Sequence, residues 1–146
     1  MNISFPIVIA SDHAGFEIKQ MLKEHLKEQG VEIVDLGTDS KAAVDYPDFG
    51  HQLGKAVGEG TYQLGISICG SGNGINMTTN KHEGVRGAIC WNEEIAEMAR
   101  RHNDANICSL PARYIDKEMA RNIVDIFLST DFDGGRHEKR IKKIDP

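Results

Sequence analysis

The chain has 146 residues, 40% of them hydrophobic and 27% charged, enough for one domain with a full-sized core and too few for two ordinary ones. Its net charge of −5 argues against general nucleic-acid binding, which needs a basic surface, and no apolar stretch approaches the ~20 residues of a membrane span. The opening "MNISFPIVIASD" lacks a basic leader, and Cys69, Cys90 and Cys108 form no CxxC pair, so the expectation is a cytoplasmic protein without structural disulfides.

In chain order, short β-branched runs alternate with longer helical patterns. "PIVIASD" (6–12) reads as a buried strand. A helix follows, with Ile18, Met21, Leu22 and Leu26 at helical spacing and Gly30 as its stop. "VEIVDLG" (31–37) is a second strand, and a loop leads through Pro47 to a helix carrying Phe49, Leu53 and Val57, ended by Gly58 and Gly60. "QLGISIC" (63–69) is strand three; the glycine loop after it opens a helix running to about His82. "VRGAICW" (85–91) is strand four, and "NEEIAEMARRHN" is a helix with acids early and bases late, matching the helix dipole. "ANICSLP" (105–111) is strand five, and Asp116 caps the helix 116–130. The basic tail "GGRHEKRIKKI" reads as a final short helix. Five strands alternating with helices predict right-handed βαβ units around a parallel sheet, a Rossmann-like three-layer α/β sandwich in one domain, 1–146.

Ligands of open α/β sheets gather at the carboxyl ends of the strands. Those ends present Asp12-His13, the loop with Asp45-Tyr46-Pro47, Cys69 with "GSGNG", and Arg113. "GSGNGI" is neither a dinucleotide fingerprint nor a Walker loop. It reads either as a tight turn or as a cradle of backbone N–H groups for a phosphate or an oxyanion. Cys90 and Cys108, inside apolar strands, read as small packed hydrophobes, whereas Cys69 sits at a strand end beside a helix start, a setting that favours thiolate. Taken singly, Asp12-His13 also reads as a helix start, His102-Asn103 as a helix C-terminus, and Arg136, His137 and Arg140 as a solvated face. Together they put a basic cluster, a thiol and two histidines on an acidic protein.

"SDHAGF", "DYPDFG", "ICGSGNGI", "NK" (80–81), "RRHNDAN", "PAR" and "GGRHEKR" stand in the order and spacing of the type B ribose-5-phosphate isomerases and the related galactose-6-phosphate isomerase subunits, and nearly the whole chain resembles them. The resemblance implies a homodimer, sometimes a tetramer, that interconverts aldose and ketose phosphates without metal or cofactor. It implies that Cys69 is the base moving a proton between C1 and C2; some members use a glutamate six residues on, where this chain has Ile75. By the same resemblance Ser71 and His102 open the furanose ring. Gly70, Gly72, Asn73 and Gly74 donate backbone N–H groups to a cis-enediolate, and Asp12, Tyr46 and Asn103 hold sugar hydroxyls. His13, Arg113, Arg136, His137 and Arg140 surround the phosphate. Asn73, Asn76, Thr78 and Thr79 depart from the smaller or more apolar residues expected in this loop and helix. Rival readings are an isomerase of allose 6-phosphate or galactose 6-phosphate, a non-catalytic sugar-phosphate sensor, and one subunit of a hetero-oligomeric isomerase.

The element order adds a geometric expectation. His102 follows a helix and precedes strand five, so it belongs at the amino end of the sheet, away from Cys69. A two-fold dimer brings such opposite ends together, which predicts active sites shared between subunits.

Overall fold

The computed structural model covers residues 1–146 and contains five parallel strands and six α-helices: β1 (Ile7–Ser11), α1 (Phe16–Glu28), β2 (Ile33–Asp35), α2 (Tyr46–Gly58), β3 (Gly65–Cys69), α3 (Asn73–Thr79), β4 (Gly87–Ile89), α4 (Glu93–Asn103), β5 (Ile107–Pro111), α5 (Lys117–Ser129) and α6 (Glu138–Ile141), with a 3-10 turn at Gly135–His137. The sheet order is β2-β1-β3-β5-β4. Every predicted element is present, several of them shorter than the sequence suggests. The second strand pairs only over Ile33–Asp35, because it is an edge strand bonded to β1 alone. The third helix stops at Thr79 rather than His82; Lys81 and His82 continue as turns bonded to the carbonyls of Thr78 and Thr79.

The three central strands are wholly buried, which is why they read as apolar runs rather than alternating ones. Period-two geometry divides their side chains between two cores. Ile7, Ile9, Ile66, Ile68, Cys108 and Leu110 pack with α1, α4 and α5. Val8, Ala10 and Ile107 pack on the opposite face with Leu53 and Val57 of α2. Asn92 and Asp116 accept hydrogen bonds from the N–H groups of Ile95 and Met119, capping α4 and α5 as short polar side chains do.

The chain leaves β1 toward β2 on one side and leaves β3 toward β4 on the other. The β1–β3 seam is therefore a topological switch point, where loops diverge and a crevice opens at the carboxyl ends of the strands. One buried ion pair supports this end of the sheet. Lys19, fully buried in α1, contacts Asp35 at 2.7 Å, and Lys23 reaches the other carboxylate oxygen at 2.7 Å. The Lys19 ammonium also donates to the Thr38 carbonyl, and the Gly37 and Thr38 backbone is bonded in turn to Ser11. Burial alone would raise the Asp35 pKa, but hydrogen bonds from Lys19, Lys23 and the Gly37 N–H more than offset it and hold the carboxyl below its ordinary range.

Candidate active site

At the switch point lies a cavity of about 340 Å³ lined by Asp12, Tyr46, Cys69, Gly70, Ser71, Gly74, Arg113 and Tyr114. Asp12 sits one residue beyond β1 and is nearly buried. Its Oδ1 accepts the N–H groups of Ala14 (3.0 Å) and Gly15 (3.2 Å), so one oxygen organises the entry to α1 and the other remains for a ligand. The helix-start reading of Asp12 thus holds for one oxygen, and the site reading has the other at its disposal. His13 accepts the Val44 N–H at Nδ1 (3.1 Å), which puts the proton of the neutral ring on Nε2.

Cys69 ends β3 and is 4% exposed, while Cys90 and Cys108 are fully buried in the cores. Burial and the neighbouring Cys90 push the Cys108 thiol well above its usual pKa, as expected of a packing residue. The loop after β3 is held against the loop after β5: Ala112 N–H donates to Cys69 O at 2.9 Å and Arg113 N–H to Gly70 O at 3.0 Å. The Arg113 side chain lies over the same glycine, since a Cβ added to Gly70 would stand 3.0 Å from its guanidinium. Two glycines are required outright. Gly72 has φ +77°, and a side chain at Gly74 would strike the Tyr46 ring at 2.4 Å. The ring of Tyr46 therefore lies directly on the loop backbone. Ser71 Oγ accepts from the Asn73 backbone (3.3 Å) and side chain (3.2 Å), leaving its own proton free to donate.

The departures noted in α3 turn out to anchor it. Ser109 Oγ donates to Asn76 Oδ1 at 2.9 Å and shares a 2.6 Å bond with Ser67. Thr78 and Thr79 bond back to the carbonyls of Gly74 (2.8 Å) and Asn76 (3.0 Å). Asn80 pairs with both backbone groups of Gly87 at 2.8 and 3.0 Å. Each buried polar group on this helix is satisfied, so the loop above Cys69 rests on a fixed support.

The remaining sequence-predicted residues are not brought to this cavity. Gly72 and Asn73 belong to its loop without lining it. His102 and Asn103 end α4 just before β5, so they stand at the amino end of the sheet, roughly 17 Å from Cys69 for a five-residue strand. His137 lies there too, with its ring stacked on His102 at 4.5 Å and 13°. The segment after α5 is tied to α4 by Arg101, which bonds the Asp133 carboxylate at 3.2 Å and accepts the Asp133 N–H at its carbonyl at 3.0 Å. Partial burial, His102 and Arg136 hold the His137 imidazole below its ordinary pKa. Arg136 and Arg140 are exposed, and the predicted single tail helix is a 3-10 turn followed by α6. The one lining residue missed from the sequence is Tyr114, 77% exposed. Its place just past the carboxyl end of β5 was the available signal.

A parallel sheet with a thiol, a carboxylate and a glycine loop converging at its switch point defines a doubly wound α/β protein with a polar crevice at the carboxyl ends of its strands. The ribose/galactose isomerase family model matches residues 7–144. Ribose-5-phosphate isomerase B of Escherichia coli is 40% identical, the match covering 94% of this chain and 93% of that protein. A ribose 5-phosphate isomerase structure from Thermotoga maritima superposes with a TM-score of 0.95 at 47% identity, over 98% of this chain and 99% of the other. The Mycoplasma genitalium ribose-5-phosphate isomerase B with bound ribulose-5-phosphate gives 0.93 at 43% identity, over 98% and 95%. The chain belongs to the ribose/galactose isomerase family and is an aldose–ketose isomerase.

Proposed function

We propose that residues 1–146 form a single isomerase domain that interconverts ribose 5-phosphate and ribulose 5-phosphate through a cis-enediolate, without a metal, with Cys69 as the base. The observation that carries this reading is the convergence of Cys69, Asp12, the glycine loop and Arg113 on one cavity. The Cys69 thiolate takes the proton from C2 of the open-chain aldose and returns it to C1, while the hydroxyl proton on O2 is lost and O1 gains one. The charge that develops on the two oxygens is met by backbone N–H groups of Gly70, Gly72, Asn73 and Gly74, which need no reorganisation as it forms. Asp12, Tyr46 and Asn103 hold hydroxyls. His102, with Ser71, opens the ring: a proton leaves the anomeric hydroxyl, the bond from C1 to the ring oxygen breaks, and that oxygen is protonated. Arg113, Arg136, Arg140, His13 and His137 surround the phosphate, whose binding energy orients the reacting carbons. That five-carbon phosphates are the substrates is supported by the relatives of that name and by ribulose-5-phosphate bound to the Mycoplasma genitalium protein.

The positions of His102 before β5 and of Cys69 beside its carboxyl end support a site shared between two chains. Two copies related by a two-fold axis supply each site from both chains. The test mixes Cys69→Ala and His102→Asn proteins after dissociation. Random pairing gives half heterodimers, each with one intact and one doubly defective site, so about a quarter of wild-type activity returns. No recovery, with subunit exchange verified by mass, places both residues in one chain. Assay with five- and six-carbon aldose phosphates fixes the sugar; faster turnover of galactose 6-phosphate or allose 6-phosphate would replace the five-carbon assignment.

A further inference from the structure

The cluster at the end of α4 has a chemistry that sugar binding does not use. We propose that His102, Asp133 and His137 form a site for a divalent transition cation of the zinc type, and that its occupancy turns the enzyme off. The ligand atoms of all three residues lie within 4.8 Å of one another. They arrive from three places: the end of α4, the segment after α5, and the 3-10 turn. The two imidazoles stack at 4.5 Å and 13°, so their ring nitrogens lie side by side. Asp133 is fixed beside them by Arg101, which occupies Oδ1 and leaves Oδ2 to a ligand.

Two imidazoles and one carboxylate, with a fourth position open to water, are a donor set that zinc accepts. Nitrogen donors favour zinc, copper and nickel over magnesium and calcium, which prefer oxygen alone. Bonds of 2.0–2.1 Å put tetrahedral ligand atoms roughly 3.3 Å apart, and the half-buried His137 and exposed Asp133 are able to rotate through that difference. Arg101, Arg136 and Arg140 are close in sequence to these ligands and oppose a cation, so micromolar rather than nanomolar affinity is expected. The loss of activity, unlike the binding, rests on the reading above: a ring nitrogen that ligates a metal is no longer free to open the sugar or meet its phosphate.

The test uses metal-stripped full-length protein carrying Cys69→Ala, which removes the competing thiol, titrated with Zn²⁺ by calorimetry and with Co²⁺ by visible absorption. Expected is one equivalent per chain, with cobalt d–d bands and no thiolate charge-transfer band. His137→Asn and Asp133→Asn should each weaken binding at least about ten-fold, since a lost ligand costs no less than a lost supporting contact, with unchanged melting curves. Affinity within two-fold in both variants, or no saturable binding, overturns the site. In the wild type, Zn²⁺ at saturation should suppress turnover and a chelator should restore it. Binding without suppression keeps the site but overturns its regulatory role and counts against His102 in the reaction, whereas absent binding with normal isomerase activity removes only the metal proposal.

Discussion

The two ends of the sheet are built differently. At the carboxyl end, Asp12, Cys69 and the glycine loop sit on buried strands and on a helix whose polar groups are bonded to the sheet. At the amino end, His102, His137, Arg136 and Arg140 hang from a helix terminus and a short tail, joined by the solvent-facing Arg101–Asp133 contact. The first end has the rigidity that positioning a proton transfer demands. The second carries two stacked imidazoles and two exposed guanidiniums on a helix end and a short tail. On the function proposed above, neither end is a complete site, and a small domain divides an isomerase between a fixed floor and a basic cover.

The sharpest way to break this contrast is Cys69→Ala. Turnover should fall by about 10²–10⁴-fold, the usual contribution of a positioned base, while a non-reacting sugar-phosphate analogue titrates within a few fold of wild type. Retention of more than about a tenth of the turnover moves the base elsewhere. Asp35→Asn tests the rigidity of the floor. It leaves the buried Lys19 ammonium with neutral acceptors only and no opposing charge, and should cost about 3 kcal/mol in urea unfolding, the lower end for an orphaned buried charge because Asp35 is partly open to water. Asp133→Asn at the other end should change the unfolding midpoint too little to measure. If both cost the same, the two ends are equally structural and the contrast fails.

Smaller effects follow at the basic end. Arg136→Ala and Arg140→Ala should each lower kcat/KM for the phosphorylated sugar by about ten- to hundred-fold, the size of a charged hydrogen bond, and leave slow turnover of free sugar nearly unchanged. Equal losses for both substrates would make the arginines structural.

The mildest effect is the response to acid. His82, bonded to His51 at 2.9 Å, has its pKa lowered first by burial and then by that neighbour. The unfolded chain therefore takes up this proton first, and stability declines as pH falls from the ordinary histidine value of about 6.5 toward the lower folded value. His82→Asn should flatten that slope in thermal melts between about pH 7.5 and 5, while the Asp35 contribution persists and is lost only in stronger acid, as pH falls through its depressed folded value. An unchanged slope would assign the response to another group.

The order and type of the elements were legible in the sequence because periodicity and caps are local. Buried parallel strands read as apolar runs, helices as one-sided stripes, and Asp116 and Gly30 as punctuation. The place of Cys69 and Asp12 in the crevice was legible for the same reason, since strand ends mark the crevice of such a sheet. Other facts had no local signal. Edge strands β2 and β4 are short because each has a single neighbour to bond. Tyr46 reaches Gly74 across 28 positions of chain, and Asn76 meets Ser109 across 33. The alignment of His102 with His137 likewise depends on α4 and the segment after α5 ending side by side. Local pattern determined which elements form and which residues face their ends; only packing decided which of those ends meet, because contacts between distant segments are set by layer order and helix length rather than by any residue's neighbours in the chain.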